Sequence, residues 1–148
     1  MKIDEELFYL GAILHDLGFT HQCDHGGSFE IDGANAAEKF LREHHYPKEK
    51  IDFVREAILL HTMVEAESKR PEIALVHFGA GFDVGHFDIR DLPSERVQEI
   101  LDAHPRLGFK KAFVEVIMND AKRKPNTLSD QLLKWGIEKM IGDSHFEE

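Results

Sequence analysis

The sequence predicts an all-α fold of six or seven helices, from three observations. Apolar residues return at spacings of three and four, as in Ile51, Val54 and Ile58, which is the period of one helix face. No stretch keeps the period-2 alternation of a half-buried strand. Helix starters and breakers divide the chain at helical lengths.

Asp4 predicts the cap of a first helix to about residue 17, and residues 18–28 read as a loop broken by Gly26-Gly27. Asp32 is expected to open a second helix to about residue 44, with Ala36, Ala37, Phe40 and Leu41 inward. Pro47 starts a third, to about residue 61, whose stripe Ile51, Val54, Ile58 turns His61 inward as well. Arg70-Pro71 begins a fourth, ending near Asp83, with Gly79 and Gly81 permitting close approach of another group. Residues 94–104, 108–123 and 128–141 read as the fifth, sixth and seventh helices, and residues 142–148 as a frayed tail. There is no internal repeat.

At 148 residues with 42% hydrophobic content and eleven Phe, the chain suits one domain with a sizeable core. Its net charge of −10 repels polyphosphate backbones, so nucleic acid is not an expected partner. No apolar run approaches the roughly 18 residues of a membrane span, and no basic-then-apolar leader is visible, so a soluble cytoplasmic protein is expected. The single Cys23 excludes an intrachain disulfide.

The chemistry concentrates where titratable residues close apolar segments. His15-Asp16 ends the run from Leu7 to Leu14, His61 ends Ala57-Ile58-Leu59-Leu60, His77 follows Ile73-Ala74-Leu75-Val76, and Asp83 follows Gly79-Ala80-Gly81-Phe82. Burying one such group without a partner costs several kcal/mol, so these positions are expected to meet around something that satisfies them. A metal ion does that most simply, and mixed imidazole and carboxylate donors suit Zn, Fe or Mn rather than Ca or Mg. Neighbouring helical residues point about 100° apart, so His15 and Asp16 can share an ion only where the backbone loosens at a helix end. Elsewhere, His44-His45 and His104 read as helix-end cations, His86 as a loop residue, and Arg106 as a guanidinium ahead of a helix start, placed to hold an anion.

The order His-Asp, His, Asp on a helical background resembles the HD-domain metal-dependent hydrolase superfamily. Five strings narrow the likeness: Leu14-His15-Asp16-Leu17-Gly18, Phe29-Glu30-Ile31-Asp32-Gly33-Ala34, Leu60-His61-Thr62, Arg70-Pro71-Glu72-Ile73-Ala74-Leu75-Val76-His77, and Pro105-Arg106-Leu107-Gly108-Phe109-Lys110. Together they resemble the cyanamide hydratase-like branch, over residues 5–124. The resemblance implies an HD-like helical bundle and one divalent ion, zinc before iron or manganese, held by His15, Asp16 and Asp83. It implies that His61 orients substrate or shuttles a proton, and that Thr62 and Phe19 contact a small-molecule substrate. If a second ion binds, as in some relatives, His61 and His77 become its ligands.

In that superfamily a first metal histidine lies on a helix upstream of the His-Asp helix, and no histidine precedes His15 here. Either an upstream helix belongs to the fold and is missing from this chain, which is the favoured expectation, or His21, His25 or water takes its place. Leu7, Phe8, Leu10, Ile13, Leu14 and Leu17 encircle the first helix, so exposed apolar surface or a homo-oligomeric partner is expected there.

The expected activity is hydration or hydrolysis of a small nitrile-like or amide-like molecule through a metal-activated water. The alternatives are a phosphohydrolase of nucleotides or phosphate esters, and a non-catalytic helical protein with a degraded site. Phe19 stands where many phosphohydrolase relatives carry Lys, which favours an uncharged substrate.

Overall fold

The structure, a computed structural model, describes residues 2–146 and is all-α, with eight helices and three short 3-10 turns among the described residues. The chain divides into two compact units, Met1–Ala80 and Gly81–Glu148.

The first unit is built on α1 (Glu5–Leu14), α2 (Phe29–Glu43), α3 (Lys48–Leu60) and most of α4 (Pro71–Asp83). Asp4 caps α1 as expected, its carboxylate accepting from the Leu7 amide at 3.2 Å. Its own amide donates to the buried Glu72 carboxylate at 2.8 Å, tying the start of α1 to the first turn of α4. The core comprises Leu7 of α1, Ala34, Ala37 and Leu41 of α2, Ile51, Val54, Ala57 and Ile58 of α3, and Ile73 of α4. Small residues bring the helices close: a Cβ at Gly11 would stand 3.0 Å from Val76 Cγ2 and 3.5 Å from Ala57 Cβ, so glycine lets α1 settle against α3 and α4.

α1 stops three residues earlier than expected. Asp16 leaves the helix at φ −104°, ψ 13°, and Leu17–Phe19 form a 3-10 turn instead. That turn packs on the start of α2 at Gly18, where a Cβ would lie 1.8 Å from the Phe29 carbonyl oxygen. α2 in turn begins three residues before Asp32, because the Ser28 carbonyl accepts from the Ile31 and Asp32 amides. The Asp32 side chain points the other way, accepting from the His25 and Gly27 amides at 2.8 and 3.0 Å. It fastens the loop between α1 and α2 rather than capping a helix. Of the apolar residues expected to encircle α1, Ile13 leaves 58% of its surface exposed, whereas Leu7 lies in the core with Leu10, Leu14 and Leu17 packed against it; Tyr9 adds a further exposed ring at 62%.

The second unit holds α5 (Ser94–Ala103), α6 (Phe109–Arg123), α7 (Leu128–Lys134) and α8 (Ile137–Asp143). The single helix expected over residues 128–141 is two, because Gly136 adopts φ 83° and its amide bonds the Leu133 carbonyl, ending α7 in a left-handed cap. The chain is ordered further than expected: Gly142 and Asp143 belong to α8 and Phe146 is buried, while residues 147 and 148 of the expected frayed tail lie outside the described residues.

A buried polar group pins α6 to α7. Asp120 accepts from Ser129 Oγ at 2.6 Å and pairs with the buried Lys124 ammonium at 2.9 Å. Removing one charge of a buried pair strands the other, so Asp120→Asn is expected to cost about 3 kcal/mol. A urea titration reads this as a lowered midpoint; an unchanged midpoint would refute the role.

Candidate metal centre

His15 and His61 occupy equivalent places, each the residue at which its helix ends, α1 and α3 respectively. The last carbonyls of a helix lack intrahelical donors, and each imidazole supplies one. His15 Nδ1 lies 2.7 Å from the Ala12 carbonyl oxygen and His61 Nδ1 lies 2.6 Å from that of Ile58. A carbonyl only accepts, so both Nδ1 atoms carry the hydrogen, and each neutral ring presents a lone pair at Nε2.

Those two lone pairs converge on one carboxylate. His15 Nε2 is 3.2 Å from Asp16 Oδ2, His61 Nε2 is 3.7 Å from Asp16 Oδ1, and one ligand atom from each residue lies within 4.8 Å of the others. The loosened backbone at Asp16 turns its side chain back toward His15, as the adjacent positions required. The rings meet edge to face, with centroids 4.9 Å apart. Three acceptors aimed at one point repel unless a proton or a cation lies among them. Bonds of about 2.0–2.1 Å in tetrahedral geometry place ligand atoms about 3.3 Å apart, which the 3.2 and 3.7 Å separations approach. The donor set therefore fits a divalent ion.

Electrostatics agree. Burial pushes the His61 imidazole down to about 4, outweighing the Asp16 carboxylate, which favours the charged form. The ring thus stays neutral, the state a metal ligand needs. Burial pushes Asp16 up, but in the protonated form of the rings a hydrogen bond from His15 and the charges of His15 and His61 outweigh it and hold the carboxyl below its ordinary value. In metal-free protein His61 favours folding above its ordinary 6.5, and this contribution is lost as pH falls toward about 4, because only the unfolded chain takes up the proton. The loss is expected to be on the order of 3 kcal/mol, with Asp16 adding to it only at more acidic pH. Urea titrations of chelator-treated protein at pH 7 and 4.5 test this against His61→Gln, whose profile should be flatter.

The other expected residues are distributed differently. His77 is buried on α4 and its Nδ1 lies 2.8 Å from the His61 carbonyl oxygen, while its Nε2 stands 3.8 Å from Glu67 Oε1. Thr62 is exposed. Phe19 stacks on Phe29 at 4.0 Å, and Phe29 sets its ring against His61 at 5.7 Å, so an aromatic pair flanks the cluster. Asp83 was expected to be buried. Its side chain is instead 56% exposed, and within the second unit Arg106 donates to its carboxylate at 2.8 Å and its carbonyl at 2.9 Å. Arg106 also packs over the Phe109 and Phe146 rings, so the guanidinium read as an anion holder serves as a structural clasp. His21 and His25 are exposed and stand outside the His15, Asp16, His61 group.

Sequence reasoning missed Phe29, the loop-fastening Asp32 and the bond between His77 and His61. The Phe29-Glu30-Ile31-Asp32 string marked the segment but not these contacts, which join residues from separate elements.

No family model matches the chain. An uncharacterized protein of Clostridium beijerinckii (strain ATCC 51743 / NCIMB 8052) is 31% identical over 68 residues, which cover 46% of this chain and 43% of that protein. The chain thus matches less than half of this curated relative's length. Among the described residues no helix is long and apolar enough to cross a membrane.

Proposed function

We propose that this chain is a metal-dependent hydrolase or hydratase of the HD type, acting on a small, uncharged nitrile-like or amide-like substrate. The observation that carries the reading is the cluster of His15, Asp16 and His61, which brings one ligand atom of each residue within 4.8 Å of the others. These three residues hold the ion, zinc before iron or manganese, in a cytoplasmic enzyme. Three protein ligands leave a tetrahedral position open, the number characteristic of a catalytic rather than a structural site. When bound, the ion supplies a water made acidic near neutral pH and polarises an electrophile.

His61 acts here as a ligand. Its Nδ1 is committed to Ile58 and its Nε2 faces Asp16, which leaves no nitrogen for a proton shuttle. The Phe19 and Phe29 pair gives one side of the site an apolar wall. Substrate charge is the point on which the phosphohydrolase alternative differs. Phe19, at the position where the resemblance puts Lys in many phosphohydrolases, stacks on Phe29 and offers no cation. A phosphate ester needs such cations beside the metal, so a neutral substrate fits better.

The test is a titration of chelator-treated protein with Zn2+ and Mn2+ under calorimetry, followed by parallel assays of cyanamide hydration and aryl phosphate cleavage. One equivalent bound, with hydration the faster reaction, supports the proposal. Phosphate cleavage without hydration would replace it with the phosphohydrolase reading, and no metal uptake with a helical scaffold.

A further inference from the structure

The geometry points to His77 as a positioning residue that sets where His61 presents its Nε2 atom. This inference rests on the proposed metal centre and adds a residue that contributes no ligand atom to it.

His61 is the residue at which α3 ends, so its own carbonyl lacks an intrahelical donor. His77 supplies that donor from another helix: Nδ1 stands 2.8 Å from the His61 oxygen, across 16 residues of sequence. Because a carbonyl only accepts, Nδ1 carries the hydrogen and the His77 ring is fixed as one tautomer. The ring is itself immobilised, since His77 is buried and lies one turn beyond Ile73, a member of the core, with the buried Val76 beside it.

The consequence for His61 is mechanical. Its ring is already held at Nδ1 by Ile58, one turn back on the same helix, and that bond fixes the ring only relative to α3. A helix end frays unless something outside the helix holds it. The bond from His77 is that hold, placed on the backbone of the ligand itself. It ties the His61 end of α3 to α4, so the 3.7 Å from His61 Nε2 to Asp16 does not depend on the last turn of α3 alone. Metal sites require such support, because their geometry must be kept within about 0.5 Å. His77 does not join the cluster: the group whose atoms lie within 4.8 Å of one another is His15, Asp16 and His61, and the His77 Nε2 atom faces Glu67 instead.

Two variants separate positioning from packing. His77→Asn keeps an N–H donor close to the place of Nδ1, whereas His77→Leu fills space without one. Zn2+ calorimetry is expected to show affinity weakened about tenfold or more in His77→Leu and largely restored in His77→Asn, although both lose the ring and are destabilised in urea. Equal affinity in the leucine variant and wild type overturns the inference, as does equal loss in both variants. A wild-type protein that binds two equivalents, falling to one in both variants, would make His77 a ligand and also overturn it. Nitrogen NMR of metal-free wild-type protein gives a readout independent of metal and of either variant's folding. It is expected to show His77 protonated at Nδ1, and an Nε2-protonated ring would refute the bond. If wild type takes up no metal, the proposed function fails by itself. The positioning role is then decided by the His61 ring signals of metal-free protein, which should shift in His77→Leu but not in His77→Asn; identical spectra for all three would overturn it.

Discussion

Asp16→Asn is expected to abolish tight metal binding while leaving the metal-free protein as stable as wild type or more so. The two halves have one cause. In wild type, Asp16 places two acceptor oxygens against the Nε2 lone pairs of His15 and His61, at 3.2 and 3.7 Å. A cation resolves that conflict, and its binding energy adds to folding: at a free concentration a hundred times the dissociation constant, about 2.7 kcal/mol. The asparagine amide resolves it without a cation, by donating to one imidazole, a hydrogen bond worth about 1 kcal/mol. Thermal unfolding with and without Zn2+ reads both effects. Wild type should rise in melting temperature with metal, and Asp16→Asn should start at or above the metal-free wild type and not respond. A variant that still responds to zinc like wild type would remove Asp16 from the site, and one that unfolds without metal would show that the carboxylate serves the fold instead.

Gly18→Ala is expected to cost on the order of 4 kcal/mol, at the upper end of what single substitutions do. The added Cβ would fall 1.8 Å from the Phe29 carbonyl oxygen, 2.6 Å from its carbon and 2.9 Å from the Gly33 amide nitrogen. All three are backbone atoms, so no rotamer change relieves the overlap, and the 3-10 turn must separate from α2. That turn begins beside Asp16, so the variant should bind metal weakly even where it remains folded. Gly108→Ala is a useful contrast, since a Cβ there meets nothing within 4 Å although its φ of 77° is strained for alanine; it should cost about 1 kcal/mol. Urea titrations of the two variants compare them, and a Gly18→Ala protein as stable as Gly108→Ala would show that the turn and α2 are not in contact.

Much of the first unit was legible because its signals are local. The cap at Asp4, the stripe Ile51, Val54, Ile58 and the prolines at 47 and 71 act within one or two turns, and each of these helices begins where they place it. The second unit shows where local reading fails. Residues 128–141 carry helical apolar spacing throughout, yet the backbone breaks at Gly136, whose left-handed conformation satisfies a carbonyl at the end of α7. An isolated glycine is tolerated within a helix at about 1 kcal/mol, so its presence alone does not announce a break. Asp32 misled for the opposite reason. Asp is a good N-cap, and only the fold reveals that its side chain fastens the loop at His25 and Gly27.

Sequence by itself determined that this protein is all-α and that its titratable groups, His15, Asp16 and His61 among them, close apolar helical segments. These properties follow from periodicity and from the cost of burying a polar group, both readable along one chain. Tertiary structure alone decided which of those groups meet. It joined His61 to His15 and Asp16, gave His77 the task of holding the His61 backbone, and left Asp83 exposed in the grasp of Arg106. The physical reason is that convergence depends on where helices end relative to one another. The ends of α1 and α3 are set by the close packing of Gly11, Gly18, Gly33 and Ala57, contacts between residues distant in the chain that no spacing along it encodes.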